Sequence, residues 1–270
     1  MDLVMLDTRH YDRSITDLGW NSDYITAISD DAARSLMGSR QENWFYNELK
    51  RSSERGAAWR VIGSQIIITH LAQPEELGGK DPINIDSWDG YRANRNRTLK
   101  AIYDNDIRNN VFLAGDFHSN WAADVVWEGE KEYDPETGRG AVGVEFAGTA
   151  IASPSILGMN VTLEEATEAS ELFVSENAPL QWSELFYRGY IELKVRPDSV
   201  VTQYFGMPDL LTRNGLEISL ANFTVEHGAN RISRPIAGEA VQAGTAKGGE
   251  LSDSRVAFDT EAGEYVDLES

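Results

Sequence analysis

The sequence predicts an α/β layered domain. Short buried runs, Leu3-Val4-Met5-Leu6, Trp59 to Ile68 and Val111-Phe112-Leu113-Ala114, alternate with segments whose apolar residues recur at helical spacing. Strand, helix, strand, helix, strand is the alternation of such a unit. Further on, Ile191, Leu193 and Val195 alternate with Glu192, Lys194 and Arg196, which gives one buried and one wet face. A chain of 270 residues with 41% hydrophobic and 10% aromatic content is long enough to bury a core of this kind.

The elements follow in order. Leu3 to Leu6 reads as a core strand that begins almost at the first residue, so sequence in front of it is expected to be missing. Ser39-Arg40-Gln41-Glu42 has the spacing of a capping box, and Trp44, Phe45 and Leu49 follow as a helix that should end near Arg55-Gly56. Trp59 to Ile68 is a long β-branched strand in which Gly63 marks a bulge. Pro74, Gly78, Gly79 and Pro82 punctuate a loop over 71–86. A helix from about Gly90 to Arg108 should bury Ala93, Leu99, Ile102, Tyr103 and Ile107, and the strand Val111 to Ala114 follows at once.

Val142 to Phe146 reads as another strand, and Thr162-Leu163-Glu164-Glu165 as a second capping box opening an amphipathic helix to about Ser175. Tyr190 to Arg196 and Val200 to Phe205 are joined by the turn Pro197-Asp198 into an antiparallel hairpin. From Ala237 onward Gly, Ala, Ser and Glu dominate, with eight acids against Lys247 and Arg255. Such a stretch buries too little apolar surface to offset its ordering entropy, so 1–236 is expected to fold and 237–270 to trail as an acidic, flexible tail, with Tyr265-Val266 as its candidate docking point.

Charge and composition exclude several classes. Twenty-four basic residues against 44 acidic ones give a formal charge of −20, a field that repels polyanions, so nucleic-acid binding is not expected. A small phosphorylated substrate is compatible with that field where a few arginines and metal ions reverse its sign locally. The absence of cysteine excludes disulfides, thiolate ligands and a cysteine nucleophile. No run approaches 18 apolar residues, so no membrane span is expected. Met1 to Asp7 lacks the basic and apolar regions of a secretion signal.

The feature richest in chemistry is Gly115-Asp116-Phe117-His118-Ser119-Asn120, directly after the Val111 to Ala114 strand. In an extended segment Asp116 and His118, at i and i+2, would leave the same face and offer a carboxylate oxygen and an imidazole nitrogen to a metal ion. Open α/β sheets place their chemistry at such strand ends.

Other segments accompany it: Leu6-Asp7-Thr8-Arg9, Gly63-Ser64-Gln65, Ser87-Trp88-Asp89-Gly90-Tyr91 with Arg92, Asn94 and Arg95, and Arg188-Gly189-Tyr190 entering the hairpin. As an ordered set over residues 2–206 they resemble the C-terminal half of the alkaline phosphatase D (PhoD-like) family of the calcineurin-like metallophosphatase superfamily. The resemblance implies a sandwich of two mixed sheets flanked by helices, with metals held by loops at strand ends. It also implies hydrolysis of phosphate monoesters or diesters by a metal-activated water, and a secreted or extracytoplasmic location.

By the same resemblance Asp116 and His118 are metal ligands, with His118 catalytic; Arg9 is the candidate catalytic and substrate-binding fork for non-bridging oxygens, Asn120 a candidate substrate contact or a turn residue, and Asp7 and Gln65 site neighbours. The cofactors would be divalent or trivalent ions of the Fe, Ca or Zn type in a dinuclear or multinuclear centre, and the partner a small phosphoester. The superfamily's earlier ligand motifs and N-terminal β-domain precede the Asp7-Thr8-Arg9 segment. The alternatives are therefore a fragment or paralogue without turnover that serves as an interaction module, or a small ligand-binding sandwich built on the hairpin.

Overall fold

The computed structural model describes residues 1–77, 84–211, 213, 215–251, 256–259 and 264–267. The strands are β1 (Asp2–Met5), β2 (Arg60–Gln65), β3 (Asn110–Ala114), β4 (Asn120–Val125), β5 (Gly143–Ala147), β6 (Leu180–Glu184), β7 (Arg188–Val195), β8 (Ser199–Met207) and β9 (Ile218–Glu226). After them come the short β10 (Ala240–Val241), β11 (Thr245–Ala246) and β12 (Glu250–Leu251), then β13 (Val256–Asp259) and β14 (Glu264–Asp267). The α-helices are α1 (Ser22–Ile28), α2 (Gly38–Glu54), α3 (Arg92–Asp104) and α4 (Leu163–Glu176).

A seven-stranded mixed sheet runs in the order β1-β2-β3-β5-β4-β6-β11, with parallel pairing from β1 through β5 and antiparallel pairing between β5 and β4, β4 and β6, and β6 and β11. Neighbouring residues on its strands point to opposite faces. Val61, Val111 and Val144 meet Tyr204, Leu220 and Phe223 of the antiparallel sheet β7-β8-β9, whereas Ile62 and Phe112 meet Phe45 and Leu49 of α2 and Leu99 and Ile102 of α3. On that helical side Trp121, Ala123 and Ala147 pack against Phe173 of α4. The result is the expected sandwich, a large mixed sheet faced by a smaller antiparallel one and flanked by helices.

Gly189 lies where β7 crosses β8 closely, and an added Cβ there would meet Phe205 O at 1.9 Å. Gly189→Ala is expected to force the two strands apart and cost about 1–3 kcal/mol, read as a lowered denaturation midpoint.

The Thr162 box forms as the sequence predicts: Thr162 Oγ1 accepts from Glu165 N at 3.2 Å, and Glu165 Oε2 accepts from Thr162 N at 2.8 Å. Thr162→Ala should cost about 1 kcal/mol, measurable in urea. The Ser39 box does not form. Glu42 is buried and accepts from Arg97 Nε at 2.5 Å and Tyr46 Oη at 2.9 Å, so an ion pair with α3 takes the carboxylate the cap would need.

Several other expectations differ. The strand expected over 59–68 ends at Gln65, where the register shifts beside Gly63, and Ile66 to Ile68 continue as buried loop. Tyr103 of α3 is exposed, and the helix buries Asn94, Arg95 and Thr98 instead, each hydrogen-bonded. Gly78, Gly79 and Pro82 of the expected loop lie outside the described residues. The stretch expected to trail from 237 contributes an edge strand, since β11 pairs with β6 and Val241, Ala243 and Ala246 are buried. Tyr265 and Val266 lie in β14, paired with β13.

The parallel strands β1, β2, β3 and β5 all end on one side of the large sheet. That edge collects the segments Asp7 to Arg9, Gln65, Gly115 to His118, and Gly148-Thr149. Open α/β sheets bind ligands at such a carboxyl edge.

Candidate active site

The turn after β3 is tight. Gly115 N bonds Gln65 O at 2.9 Å, Phe117 N bonds Gly115 O at 2.7 Å, and Phe117 packs on Trp121 with ring centroids 4.4 Å apart. Asp116 and His118 both have left-handed backbones, with φ of 68° and 56°. Non-glycine residues in that region carry strain of roughly 1–3 kcal/mol each, which the surrounding structure must hold in place. The segment is therefore not extended, and the two side chains meet different partners. This corrects the shared-face expectation.

Asp116 faces Arg9, whose Nη2 lies 3.3 Å from Asp116 Oδ1, and its own side chain is 38% exposed. His118 Nδ1 lies 3.0 Å from the carbonyl oxygen of Pro154. A carbonyl only accepts, so Nδ1 carries the proton and Nε2 is the basic atom of the ring, the arrangement seen in ligating and general-base histidines. The His118 carbonyl is held in turn by Arg188 Nη1 at 3.0 Å and Thr149 Oγ1 at 3.2 Å.

Arg9 is held between two carboxylates. Its Nη1 bonds Asp86 Oδ2 at 2.9 Å, and its side chain is one third exposed, 32%. Asp86 also takes Arg13 Nη2 at 2.6 Å and Thr16 Oγ1 at 2.5 Å. Burial opposes the charge on Asp86, but these donors outweigh it and hold its pKa below the usual carboxylate value. Asp86 thus fixes the direction in which Arg9 presents its guanidinium. Nothing in the sequence around Asp86 marks it, and its partner is 77 residues away; its only signal is its place one residue before the Ser87 turn.

The remaining candidates are scaffolding. Asp7 Oδ1 accepts from Arg9 N at 3.1 Å and His10 N at 2.8 Å, an Asx turn that shapes the loop, and the His10 bond leads in lowering its pKa. Gln65 Oε1 takes Thr8 N at 2.6 Å, which ties the loop after β1 to the end of β2. Asn120, expected to bind substrate, is fully buried with its amide spent on Glu184 Oε2 at 2.8 Å and Thr149 N at 3.0 Å. In this position it splices the start of β4 to the loop after β5. Among the described residues no group of three or more His, Asp or Glu side chains converges to hold a metal ion.

A second polar cluster is built on His70. His70 Nδ1 lies 2.9 Å from Oδ1 of Asp89, which also pairs with Arg95 and is itself buried. The Asp89 bond raises the His70 pKa above its ordinary 6.5. A raised base contributes stability in full below the unfolded value and loses it as pH rises through the folded value. His70→Ala should therefore destabilise the protein more at about pH 5.5 than at about pH 9, as paired thermal melts would show.

Residues 1–204 match the family described as PhoD-like phosphatase. The chain is 32% identical over 256 residues to "Alkaline phosphatase D" of Bacillus subtilis (strain 168), an alignment covering 93% of this chain and 40% of that protein. A solved structure described as "Structure of PhoD" superposes with a TM-score of 0.66 at 26% identity, over 92% of this chain and 43% of that one. The chain spans less than half the length of these relatives.

Proposed function

The chain belongs to the PhoD-like phosphatase family, and from that premise we propose that it hydrolyses phosphate esters at the carboxyl edge of the large sheet. The observation that carries the reading is the Gly115 to Asn120 turn, which sets His118, with Nδ1 spent on Pro154 O, close in sequence to the carboxylate that faces Arg9. Arg9, held by Asp86 through Nη1, would give a phosphate its planar guanidinium in place of the Asp116 contact on Nη2, a donor geometry that lysine cannot supply. His118 Nε2 is the atom that accepts a proton or a metal bond.

Metal dependence belongs to the same proposal. Asp116 and His118 are the two donors these residues bring, a hard oxygen and a borderline nitrogen, types that Fe, Ca and Zn ions accept between them. Two donors do not close a cage, so the described residues alone do not fit a complete metal centre and no reaction step is assigned to one. That same shortage favours the second reading, an interaction module without turnover. A location outside the cytoplasm follows from the family reading and is tested by cell fractionation. No helix among the described residues is long and apolar enough to cross a membrane.

The test is release of nitrophenol from p-nitrophenyl phosphate and bis(p-nitrophenyl) phosphate at alkaline pH, with added divalent and trivalent ions or exhaustive chelation. Turnover is expected with metal, none after chelation, and a loss of about 100-fold or more in His118→Ala. Absence of turnover with every ion and both esters would overturn the hydrolytic reading for this chain.

A further inference from the structure

We propose that the cleft beside His118 is a subsite for an apolar organic group, so that the favoured substrates are phosphate esters of hydrophobic alcohols or phenols; this rests on the phosphoester reading above. The cleft has a volume of about 440 Å³ and is lined by Pro154, Met159, Val161, Phe186, Met207 and Leu210 among others. That volume falls among pockets that hold small organic ligands, roughly 300–1,000 Å³.

The cleft and the candidate active site share walls. Pro154, which lines the cleft, supplies the carbonyl that receives His118 Nδ1 at 3.0 Å. Arg188 lines it as well and ties the two together: Nη1 donates to His118 O at 3.0 Å and Ser153 O at 3.1 Å, while Nη2 donates to Leu185 O and Phe186 O. A group in the cleft would therefore lie against the elements that orient the imidazole, as a substituent on a phosphate held at that turn would.

The rim points the same way. Met159 and Leu211 line the cleft and are 84% and 97% exposed, and Ile151, next to the lining residue Ala152, is 83% exposed. Large apolar side chains left this bare, gathered at one mouth, mark a surface kept for a ligand rather than for the core. Arg9, by contrast, is met by the carboxylates of Asp86 and Asp116. One end of the site is thus charged and the other apolar, which matches an ester with a phosphate head and a hydrophobic body.

The experiment is calorimetric titration of the full chain with methylphosphonate and with hexylphosphonate, which needs no turnover. Hexylphosphonate is expected to bind at least about tenfold more tightly, because its added methylenes leave water. Met159→Glu and Leu211→Glu, both at exposed positions that leave packing untouched, should each narrow that ratio. Equal affinities, or a ratio unchanged in both variants, would overturn the subsite. Failure of the phosphoester reading shows separately, as absence of nitrophenol release in a chain that still prefers hexylphosphonate.

Discussion

Arg9→Ala is expected to lower kcat/KM for p-nitrophenyl phosphate by about 100- to 1,000-fold, the cost of removing one aimed donor from a transition state rich in charge. Arg9 is anchored on one side by Asp86 at 2.9 Å and met on the other by Asp116 at 3.3 Å. A phosphate has to compete with Asp116 for the second contact, and the Asp86 contact keeps the fork in place while it does. Arg9→Lys keeps the charge but loses the planar pair of donors, so it should recover only part of the rate. Asp86→Asn should raise KM more than it lowers kcat, because the guanidinium loses its anchor rather than its charge. Steady-state kinetics on the three variants checks the whole set, and wild-type rates in Arg9→Ala would remove Arg9 from the site.

Arg234→Ala is expected to cost about 3–5 kcal/mol of stability, because it strands a buried carboxylate. Asp124 on β4 has no exposed surface and accepts from Arg234 Nη2 at 2.7 Å, Tyr133 Oη at 2.8 Å and Ile232 N at 2.8 Å. Burial pushes the Asp124 pKa up, and Arg234 is the charge that opposes it. In the variant the folded protein holds a proton on Asp124 at a pH where the unfolded chain has lost it. Stability then falls as pH rises through that window, and the penalty is smallest in acid. Asp124→Asn in the Arg234→Ala background should recover part of the loss at neutral pH. Urea denaturation of the two variants at several pH values decides it.

Much of the fold was legible because its signals are local. The Thr162 cap needs four adjacent residues, and the hairpin across Pro197-Asp198 shows itself by a period of two that one buried face imposes. Two of the strands that escaped notice, β4 and β6, lack such a period. β4 and β6 are buried along their whole length, so Asn120, Asp124, Gln181 and Glu184 sit inside on strands that read as mixed polar sequence. The Ser39 box misled for the opposite reason: the pattern is present, but Arg97 on α3 claims Glu42.

The candidate site divides along the same line. The sequence by itself determined the family, the α/β layering, and the presence of a carboxylate, an imidazole and an arginine just beyond strand ends, because chain neighbours and strand periodicity are one-dimensional facts. Only the tertiary structure decided what those groups do. It turned Asp116 and His118 apart through two left-handed residues, spent Asn120 and Gln65 on splicing loops, and brought Asp86 to Arg9 across 77 positions. Partners of a charged side chain are chosen by distance in space and by the cost of leaving a buried polar group unpaired, and neither quantity is written along the chain.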